Sequence, residues 1–314
     1  MNKKKILLIG GSGFLGKWLI KTLSYNNYEI SILDPKVKFK EIKKYNLKHC
    51  FKHSVENNKY LKNSLNMEDW DYIIWLAAWG GNGNGLLKAA DENFRKAMLI
   101  NVNSFKNFLD ILKNKKNIKI IWSSSTVVFG KESFYQYKKV TEFSKLCPTT
   151  NYGLTKVLAE EITKYYINNY NMSITGIRFP IIIGPGLSYR GVASGISDMA
   201  TSIINRRKIT IPIVSSSLDL IYIKDAVKII TKLLTSKSNL KYIYNCPSFR
   251  TNSKNLEKFF NKNNGKYIII KDLGDGTTYP IMDPKILKKD LKIKLQYNLK
   301  KSVENWLKEL KNLS

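Results

Sequence analysis

The stretch ILLIGGSGFLG, residues 6–16, is the part of the sequence that decides the fold. Its apolar run leads into glycines spaced three apart, at Gly10, Gly13 and Gly16. The apolar run predicts a buried strand, and the residues after the glycines have the periodicity of a helix. Glycines between a strand and a helix permit a tight turn and let the backbone approach a pyrophosphate, which the amides at the helix N-terminus attract. The stretch therefore predicts a dinucleotide-binding turn.

An acidic residue follows where such a turn needs one. Asp34 comes directly after the second predicted strand, residues 29–33, in the segment SILDP. A carboxylate at this place holds the ribose 2′-hydroxyl and repels a 2′-phosphate, so the sequence predicts NAD rather than NADP as the cofactor. Lys36 and Lys38 follow closely and would weaken that discrimination, because a cation attracts a phosphate.

Strands and helices alternate along the first 180 residues. Predicted strands cover 4–9, 29–33, 48–51, 72–76, 118–122 and 174–179, and predicted helices cover 17–24, 92–113 and 151–170. This alternation predicts an α/β fold, a Rossmann doubly wound parallel sheet with helices on both faces. The pattern then loosens, and segments such as YNCPS at 244–248 are predicted as loops. We expect an NAD-binding Rossmann domain with the catalytic residues over 1–180. We expect residues 181–314 to form a smaller, mainly substrate-binding lobe, interwoven with the first.

Composition narrows the class of protein. The net charge of +29 is spread along the chain and accompanies no nucleic-acid-binding motif, so we expect no nucleic-acid partner. No apolar run is long enough to span a membrane, and the N-terminus lacks the pattern of a signal peptide, which predicts a cytoplasmic protein without membrane contact. Cys50, Cys147 and Cys246 are too scattered for a disulfide framework or a zinc site, so no metal is expected.

A candidate catalytic group lies in YGLTK, where Tyr152 and Lys156 are about one helical turn apart on the same face. A lysine ammonium beside a tyrosine favours the phenolate and lowers the pKa of the phenol. Such a tyrosine can take a proton from a substrate hydroxyl near neutral pH. Ser125, in WSSSTVVFG, follows a strand that is predicted to end beside the cofactor and could hydrogen-bond the same substrate oxygen. The alternative for this serine run is a polar turn without a function.

Nearly the whole chain resembles the extended short-chain dehydrogenase/reductase family, of the NAD-dependent epimerase/dehydratase type. The matching segments are GGSGFLG at 10–16, Asp34, LAA at 76–78, Asn101-Val102, SSSTVVFG at 123–130, YGLTKVLAEE at 152–161, GIRF at 176–179, GPG at 184–186 and LIYIKDAV at 220–227. Most of these segments are weak signals alone, and their order and spacing carry the resemblance.

The resemblance implies a role for each residue of the candidate site. Tyr152 is the implied catalytic base, Lys156 is its activator and a ribose ligand, and Ser125 is the partner of the substrate hydroxyl. Asn101 would support the lysine. The implied cofactor contacts are Gly10, Gly13, Phe14, Leu15, Gly16, Asp34, Ser54, Val55, Leu76, Ala77, Ala78, Asn101, Ser123, Tyr152, Lys156 and Phe179. The implied substrate contacts are Trp79, Gly80, Gly81, Ser125 and Thr126.

The residues after the catalytic serine separate branches of this family. Branches that dehydrate, decarboxylate or 3,5-epimerise a sugar carry an acid or a cysteine where this chain has Thr126 and Val127. The remaining activity is oxidation and reduction at C4 of a nucleotide-linked sugar, as in a 4-epimerase or a 4-dehydrogenase/ketoreductase. The segment LAAWGGNGNG at 76–85 resembles GDP-mannose epimerases and GDP-fucose synthases, which favours a GDP-linked sugar.

The expected contacts to a substrate diphosphate are incomplete. Ile181 and Leu218 stand where enzymes of nucleotide sugars usually carry an Asn and an Arg that contact the phosphates. A diphosphate needs cationic or amide partners in place of water. Arg190, Arg206 and Arg207 are then the available cations, and we treat them as candidate substrate contacts.

Two alternatives to a nucleotide-sugar enzyme follow from the same resemblance. Pro180, LIYIKDA at 220–226 and Tyr279-Pro280 resemble the L-threonine 3-dehydrogenase and erythronate dehydrogenase branch, which oxidises small hydroxy acids or amino acids. Some proteins of this fold instead sense NAD without turnover, although these typically lack the tyrosine or the lysine that this chain keeps.

The resemblance also implies a homodimer with two-fold symmetry, the commonest kind of oligomer. In this family, the helices equivalent to 92–113 and 151–170 pair across the two-fold axis. The apolar residues expected on that surface are Phe94, Met98, Phe105, Phe108, Leu158, Ile162 and Tyr166.

Overall fold

The structure is a computed structural model that describes residues 3–38, 44–188, 194–262 and 264–312. The strands are β1 Lys4–Ile9, β2 Tyr28–Leu33, β3 Cys50–Phe51, β4 Tyr72–Trp75, β5 Lys119–Ser125, β6 Lys139–Val140, β7 Ser173–Phe179, β8 Ile181–Ile183, β9 Ile209–Ile213, β10 Leu218–Tyr222, β11 Ile243–Asn245, β12 Phe249–Thr251, β13 Ile268–Asp272 and β14 Ile281–Met282. The α-helices are α1 Phe14–Leu23, α2 Asn58–Asn66, α3 Leu86–Glu92, α4 Phe94–Met98, α5 Ser104–Leu112, α6 Asn151–Tyr170, α7 Ser194–Ile204, α8 Ile223–Thr235, α9 Ser253–Asn261, α10 Lys285–Leu291 and α11 Leu299–Lys311.

In the part of the chain that the structure describes, seven strands form one parallel sheet in the order β3-β2-β1-β4-β5-β7-β11. Strand β1 lies in the middle, and Leu8 is in register with Ile32 of β2 and Ile74 of β4. The strand order reverses between β1 and β4, and at such a point the carboxyl ends of the strands leave a crevice where ligands bind. This architecture confirms the predicted Rossmann fold.

Both faces of the sheet are covered, because the side chains of β1 alternate between two cores. Ile6 and Leu8 pack with apolar residues of α1 and α8 on one face. Leu7 and Ile9 pack with residues of α2, α5 and α6 on the other. Covering on both faces explains why β1 reads as a continuous apolar run rather than an alternating one.

The predicted helix over 92–113 is confirmed over 94–112, where α4, a π-helical turn and α5 follow one another without a gap. Helix α3 ends at Glu92, and the side chain of Asn93 accepts a hydrogen bond from the backbone N–H of Lys96, which begins α4 as a separate helix. A π-helical turn over Leu99–Asn103 then precedes α5. Such turns insert a residue into the helical ladder and occur frequently at functional sites.

The second part of the chain returns to the central sheet. Helix α8 packs against α1, and β11 pairs in parallel with β7, so that Ile243 lies beside Gly176. The prediction of a loop over 244–248 is therefore wrong for the first two residues. The other strands of this part form small sheets, in which β10 lies between β8 and β12 and β9 pairs with β13. The domain boundary at residue 180 stays a prediction.

Three residues that were expected on the dimer surface lie inside the monomer instead. Phe105 and Phe108 are buried against Trp75, with ring centroids 5.3 and 4.8 Å from its ring. Tyr166 is also buried, and its hydroxyl donates to Asp110 over 2.6 Å. These large rings fill the space between the sheet and α5 and α6. The exposed apolar side chains of this region are Phe94, Leu99, Leu154 and Tyr165.

Within the described ranges, no helix combines the length and the apolar character that crossing a membrane requires.

Candidate active site

The glycine turn between β1 and α1 is so close to its neighbours that side chains do not fit. Gly10 has φ +86°, and a Cβ atom there would lie 2.7 Å from the backbone nitrogen of Ala77. A Cβ atom at Gly16 would lie 2.5 Å from the carbonyl oxygen of Gly11. Gly13 closes the turn by donating its N–H to the carbonyl of Gly10 over 3.2 Å, and it precedes the first residue of α1. The turn is therefore a backbone cradle at the N-terminus of a helix, the geometry that accepts a phosphate group.

Asp34 follows β2 directly and faces this turn. Its carboxylate accepts hydrogen bonds from the backbone N–H of Ser12 over 3.1 Å and of Lys36 over 2.8 Å. The residue is buried, while Lys36 and Lys38 are exposed. Asp34 thus fixes the glycine turn to the end of β2 and brings a negative charge to the edge of the crevice.

The other residues expected around a cofactor follow neighbouring strands of the same sheet. Leu76 and Ala77 follow β4, and the N–H of Leu76 donates to the carbonyl of Ile9. Phe179 ends β7 in register with Ser125 at the end of β5. The remaining candidates lie after β3 (Ser54 and Val55), after β4 (Ala78) and in the first turn of α1 (Phe14 and Leu15). Because the strands are parallel, their carboxyl ends gather these residues at one edge of the sheet.

Tyr152 and Lys156 lie in the first turns of α6, and both are buried. The helix begins after Thr150, whose side chain accepts a hydrogen bond from the backbone N–H of Gly153. The Lys156 Nζ lies 5.5 Å from the centre of the Tyr152 ring and donates to the carbonyl of Ser123 over 2.7 Å. Burial lowers the pKa of Lys156 to about 8, against the opposing effect of the Glu160 carboxylate. The ammonium thus lies beside the phenol ring.

Asn101 connects this helix to the segment after β4. It lies in the π-helical turn, and its side-chain oxygen accepts a hydrogen bond from the backbone N–H of Trp79 over 2.7 Å. Its side-chain nitrogen donates to the Thr155 hydroxyl over 3.1 Å, and that hydroxyl donates to the carbonyl of Tyr152. Asn101 is thus connected to Lys156 indirectly, through the neighbouring residue Thr155.

The three serines at the end of β5 are used in different ways. Ser123 holds Lys156 through its carbonyl, while the Ser124 hydroxyl donates to Glu160 over 2.6 Å. The Ser125 hydroxyl accepts a hydrogen bond from the backbone N–H of Val127 over 3.4 Å, at the start of a short 3₁₀ turn that contains the buried Thr126. Ser125 thus ends its strand at the edge that carries Tyr152.

The sequence reasoning missed the buried ion pair behind these serines. Arg178 of β7 binds both oxygens of Glu160 over 2.9 and 2.7 Å, and both side chains are excluded from water. Their segments, YGLTKVLAEE and GIRF, contribute to the family resemblance only through their order and spacing. The available signal was the position of Glu160, one helical turn after Lys156 on the same face of the helix.

The wall beside Tyr152 is apolar. Tyr152, Val127, Ala90 and Ala97 form a buried cluster. The residues packed against it from outside are Ala78, Trp79, Leu86, Leu87 and Tyr279. The Trp79 indole N–H donates to the carbonyl of Ala89, which fixes the ring. Gly80 and Gly81 follow Trp79, and Gly81 has φ +58° with α3 close by. Of the expected substrate residues after β4, Trp79 therefore packs against the cluster of Tyr152, and Gly80 and Gly81 lie near α3.

The two arginine candidates that the structure describes lie outside the elements that carry Tyr152, Lys156 and Ser125. Arg206 and Arg207 are exposed just after α7, where Arg206 has φ +51°. Arg190 lies outside the described residues. Leu218 is buried and Ile181 is half-buried, so neither position offers a polar contact.

The described residues contain no group of three or more His, Cys, Asp or Glu side chains that could hold a metal ion. The arrangement instead offers acid–base chemistry at one hydroxyl group. A phenol beside an ammonium can ionise, its phenolate can accept a proton, and the serine at the end of β5 can orient the oxygen that gives that proton up.

Comparisons with known proteins agree with this fold. The model of the NAD dependent epimerase/dehydratase family matches residues 6–246. A putative UDP-glucose 4-epimerase of Methanocaldococcus jannaschii is 28% identical over 228 residues, which cover 71% of each chain. The structure resembles UDP-glucuronic acid 4-epimerase of Bacillus cereus, solved with UDP-glucuronic acid and NAD, at a TM-score of 0.81 and 21% identity over 99% of this chain and 100% of that one. It also resembles L-threonine dehydrogenase of Clostridium difficile, at a TM-score of 0.84 and 22% identity over 100% of this chain and 99% of that one.

Proposed function

Because this chain belongs to the NAD-dependent epimerase/dehydratase family and is an NAD-dependent enzyme, we propose that it oxidises and reduces C4 of a nucleotide-linked sugar. One observation carries the proposal: Tyr152, Lys156 and Ser125 lie together at the edge of the sheet that holds the glycine turn. The absence of an acid or a cysteine at Thr126 and Val127 favours C4 redox chemistry over dehydration. The reaction is then that of a 4-epimerase or of a 4-dehydrogenase/ketoreductase.

The residues around the crevice fit NAD. A side chain at Gly10 or Gly16 would fill the cradle, and Asp34 brings a carboxylate to the place where a ribose hydroxyl needs an acceptor. The proposed cofactor contacts are those expected from the sequence, with Lys156 reaching the nicotinamide ribose. NAD bound there would supply the acceptor for the hydride that leaves the substrate carbon.

The protein's part in the reaction is to move and hold one proton. Tyr152, as the phenolate, takes the proton of the C4 hydroxyl, and Ser125 orients that oxygen by a hydrogen bond. Lys156 stabilises the phenolate by its charge, which it carries below about pH 8. In the reverse direction Tyr152 returns the proton to the carbonyl oxygen. In a 4-epimerase, the sugar presents its other face before this return.

The identity of the nucleotide is a finer part of the proposal. The segment at 76–85 favours a GDP-linked sugar, whereas two of the similar proteins named above are UDP-sugar epimerases. Trp79, Gly80 and Gly81 are the proposed sugar contacts from this segment. Arg206 and Arg207 are exposed, so they would reach the phosphates only if the substrate extends to the end of α7.

A second candidate is a dehydrogenase of a small hydroxy acid or amino acid. The observation that favours it is the apolar wall beside Tyr152 together with Ile181 and Leu218, which provide no contact for a diphosphate. The similarity to an L-threonine dehydrogenase over the whole chain agrees with this alternative.

A substrate panel decides between the two candidates. The enzyme is incubated with NAD and UDP-, GDP- and dTDP-linked sugars, L-threonine and small hydroxy acids, while NADH is followed by absorbance and epimers by chromatography. We expect a nucleotide sugar to be converted. Turnover of L-threonine or a hydroxy acid alone would establish the second candidate, and NAD binding without any turnover would indicate a sensor.

The variant Tyr152→Phe tests the proposed base in the same assay. It removes the hydroxyl and keeps the ring, so turnover should fall on the order of 10²–10⁴-fold, while NAD binding is kept. Tyr137→Phe, at an exposed tyrosine, is the matched control. A Tyr152→Phe enzyme that retains full turnover would remove Tyr152 from the mechanism.

We also propose that the protein forms a homodimer. Phe94, Leu99, Leu154 and Tyr165 expose apolar surface on the helices that are expected to pair. A second copy of the chain would cover them.

A further inference from the structure

A short segment of the C-terminal part forms one wall of the candidate active site. Residues 278–282, which we call the strap, contain Tyr279, whose side chain packs against the buried cluster of Tyr152 and Val127. Tyr279 is itself mostly buried, and burial raises the pKa of its phenol. The position of the strap therefore determines how much room there is beside the catalytic tyrosine.

Backbone hydrogen bonds fix both ends of the strap to the segment after the catalytic serine. The N–H of Glu132 donates to the carbonyl of Thr278 over 2.8 Å. The N–H of Ile281 donates to the carbonyl of Lys138 over 2.9 Å, where β14 pairs with β6. Between these two points, the carbonyl of Tyr279 is held by a side chain from another element.

That side chain is Arg250 of β12. It donates to the carbonyl of Tyr279 over 2.7 Å, to both oxygens of Asp219 over 3.2 and 2.7 Å, and to Glu132 over 2.6 Å. The three side chains are largely shielded, with exposed fractions of 26% for Arg250, 17% for Glu132 and 9% for Asp219. One guanidinium therefore joins β10, β12, the strap and the segment after Ser125.

The charges at this junction exclude the simplest alternative, that Arg250 is a phosphate ligand. Two carboxylates face a single guanidinium, so the group carries net negative charge and would repel an anion. Four of the five N–H groups of an arginine are also engaged by these contacts. Arg250 instead holds the strap against β10 and Glu132.

We propose that Arg250 is a positioning residue that sets substrate affinity by holding Tyr279 against the substrate pocket. This inference rests on the proposed function, because it takes the space beside Tyr152 to be the substrate pocket. Without the guanidinium, Asp219 and Glu132 would be left as unpaired, partly buried carboxylates, and the carbonyl of Tyr279 would lose its donor. The strap would then move away from Tyr152, while the glycine turn and the Tyr152–Lys156 pair would keep their contacts.

The test compares Arg250→Met with Arg250→Lys, Tyr279→Ala and the control Lys254→Met, which removes an exposed charge four residues away. Hydrogen exchange of the strap, read by mass spectrometry without substrate, should become about tenfold faster in Arg250→Met and less so in Arg250→Lys. In the panel assay, KM for the converted substrate should rise on the order of tenfold or more, with a smaller change in kcat. The dissociation constant of NAD should not change.

A double variant separates positioning from general destabilisation. If Arg250 acts through Tyr279, Arg250→Met combined with Tyr279→Ala should have a KM close to that of the worse single variant. The proposal would be overturned if hydrogen exchange of the strap were unchanged in Arg250→Met. It would also be overturned if the fold-changes in KM of the two single variants multiplied in the double variant. If the wild-type enzyme converts no compound of the panel, the proposed function fails, and the exchange measurement alone decides whether Arg250 holds the strap.

Discussion

Lys156 shows how one buried side chain links folding to catalysis. The ammonium has lost almost all contact with water and donates to the carbonyl of Ser123. Burial lowers its pKa from 10.5 to about 8, because the charged form is poorly solvated there. The same burial places the charge next to Tyr152, where a small distance and a low dielectric make it effective. Burial of Lys156 therefore lowers the stability of the folded protein and, at the same time, activates the Tyr152 phenol.

The pH dependence of activity should report this lysine. Since Lys156 loses its proton as the pH rises through about 8, kcat/KM of the proposed reaction should fall over that range. Lys156→Met should be slow at every pH and should lack this decrease. A wild-type kcat/KM that still increases above pH 9 would contradict the assignment. The folded state binds fewer protons than the unfolded state between about pH 8 and 10.5, so the stability of the wild type relative to Lys156→Met should rise with pH in that window.

Asp34 should determine the preference between the two nicotinamide cofactors. Its charge would lie beside a 2′-phosphate, so the wild type should bind NAD more tightly than NADP. Asp34→Asn keeps the size of the side chain and one acceptor for the Ser12 or Lys36 amide, and it should narrow the ratio of the two dissociation constants. Fluorescence titration measures both constants, and Lys36→Met should shift the ratio in the opposite direction. Tighter binding of NADP by the wild type would show that the exposed lysines dominate.

At the scale of elements, the turn between β1 and α1 works because its backbone atoms lie close to one another and to the segment after β4. Gly10 lies against Ala77, which follows β4, and Gly16 lies against Gly11. The turn therefore depends on the relative position of β1, α1 and β4, and a Cβ atom at either glycine would separate them. Gly13 is less crowded, since its Cβ atom would lie 3.3 Å from the carbonyl oxygen of Gly10.

Gly16→Ala should thus disturb both folding and cofactor binding. The new methyl group would lie 2.5 Å from a backbone oxygen that cannot rotate away, so the unfolding free energy should fall by about 1–3 kcal/mol. The affinity for NAD should fall on the order of tenfold or more, because the cradle widens. Gly80→Ala is the matched control, as its Cβ atom would make an ordinary contact with Leu86 at 3.7 Å. Equal NAD affinity in both variants, measured by titration, would show that the turn tolerates a side chain.

The elements also show which structural features a sequence can predict. Strands β1 to β5, strand β7 and helix α6 lie close to their predicted positions, because burial on both faces gives the central strands an uninterrupted apolar run. Helix α3, which ends at Glu92, was not predicted, and neither was the π-helical turn in the next helical run, because apolar periodicity does not show a local change in backbone hydrogen bonding. Phe105 and Phe108 were placed outside for a related reason: periodicity gives a helix an apolar side but not the partner that covers it.

At the scale of the whole molecule, the contacts that complete the site come from distant parts of the chain. The sequence predicted Tyr152, Lys156 and Ser125 because each lies in a local motif with a recognisable order. Arg250 lies in no such motif, and it meets Glu132 and Asp219 only after the C-terminal part folds against the sheet. Local patterns could not predict this junction, because its partners are far apart in sequence.

The proposed dimer makes a prediction at the same scale. Tyr165 exposes 53% of its surface on α6, and a charge at this position would be buried between two copies of the chain. Tyr165→Glu should therefore shift the wild-type dimer towards the monomer in light scattering at micromolar concentration. Tyr25→Glu, at an even more exposed tyrosine of the segment after α1, should leave the dimer intact. A wild type that is monomeric at this concentration would refute the dimer itself.

Strand β11 has a consequence for how the protein is made. While the ribosome has delivered only residues 1–180, β7 is the outermost strand of a growing sheet, and its peptide groups on one side have no partner. An apolar strand in that state is a template on which a second nascent chain can add itself. Ile243–Asn245 closes this edge later in translation, when most of the polypeptide has emerged. A gene cut at residue 180 should therefore yield a self-associating fragment rather than an autonomous nucleotide-binding module.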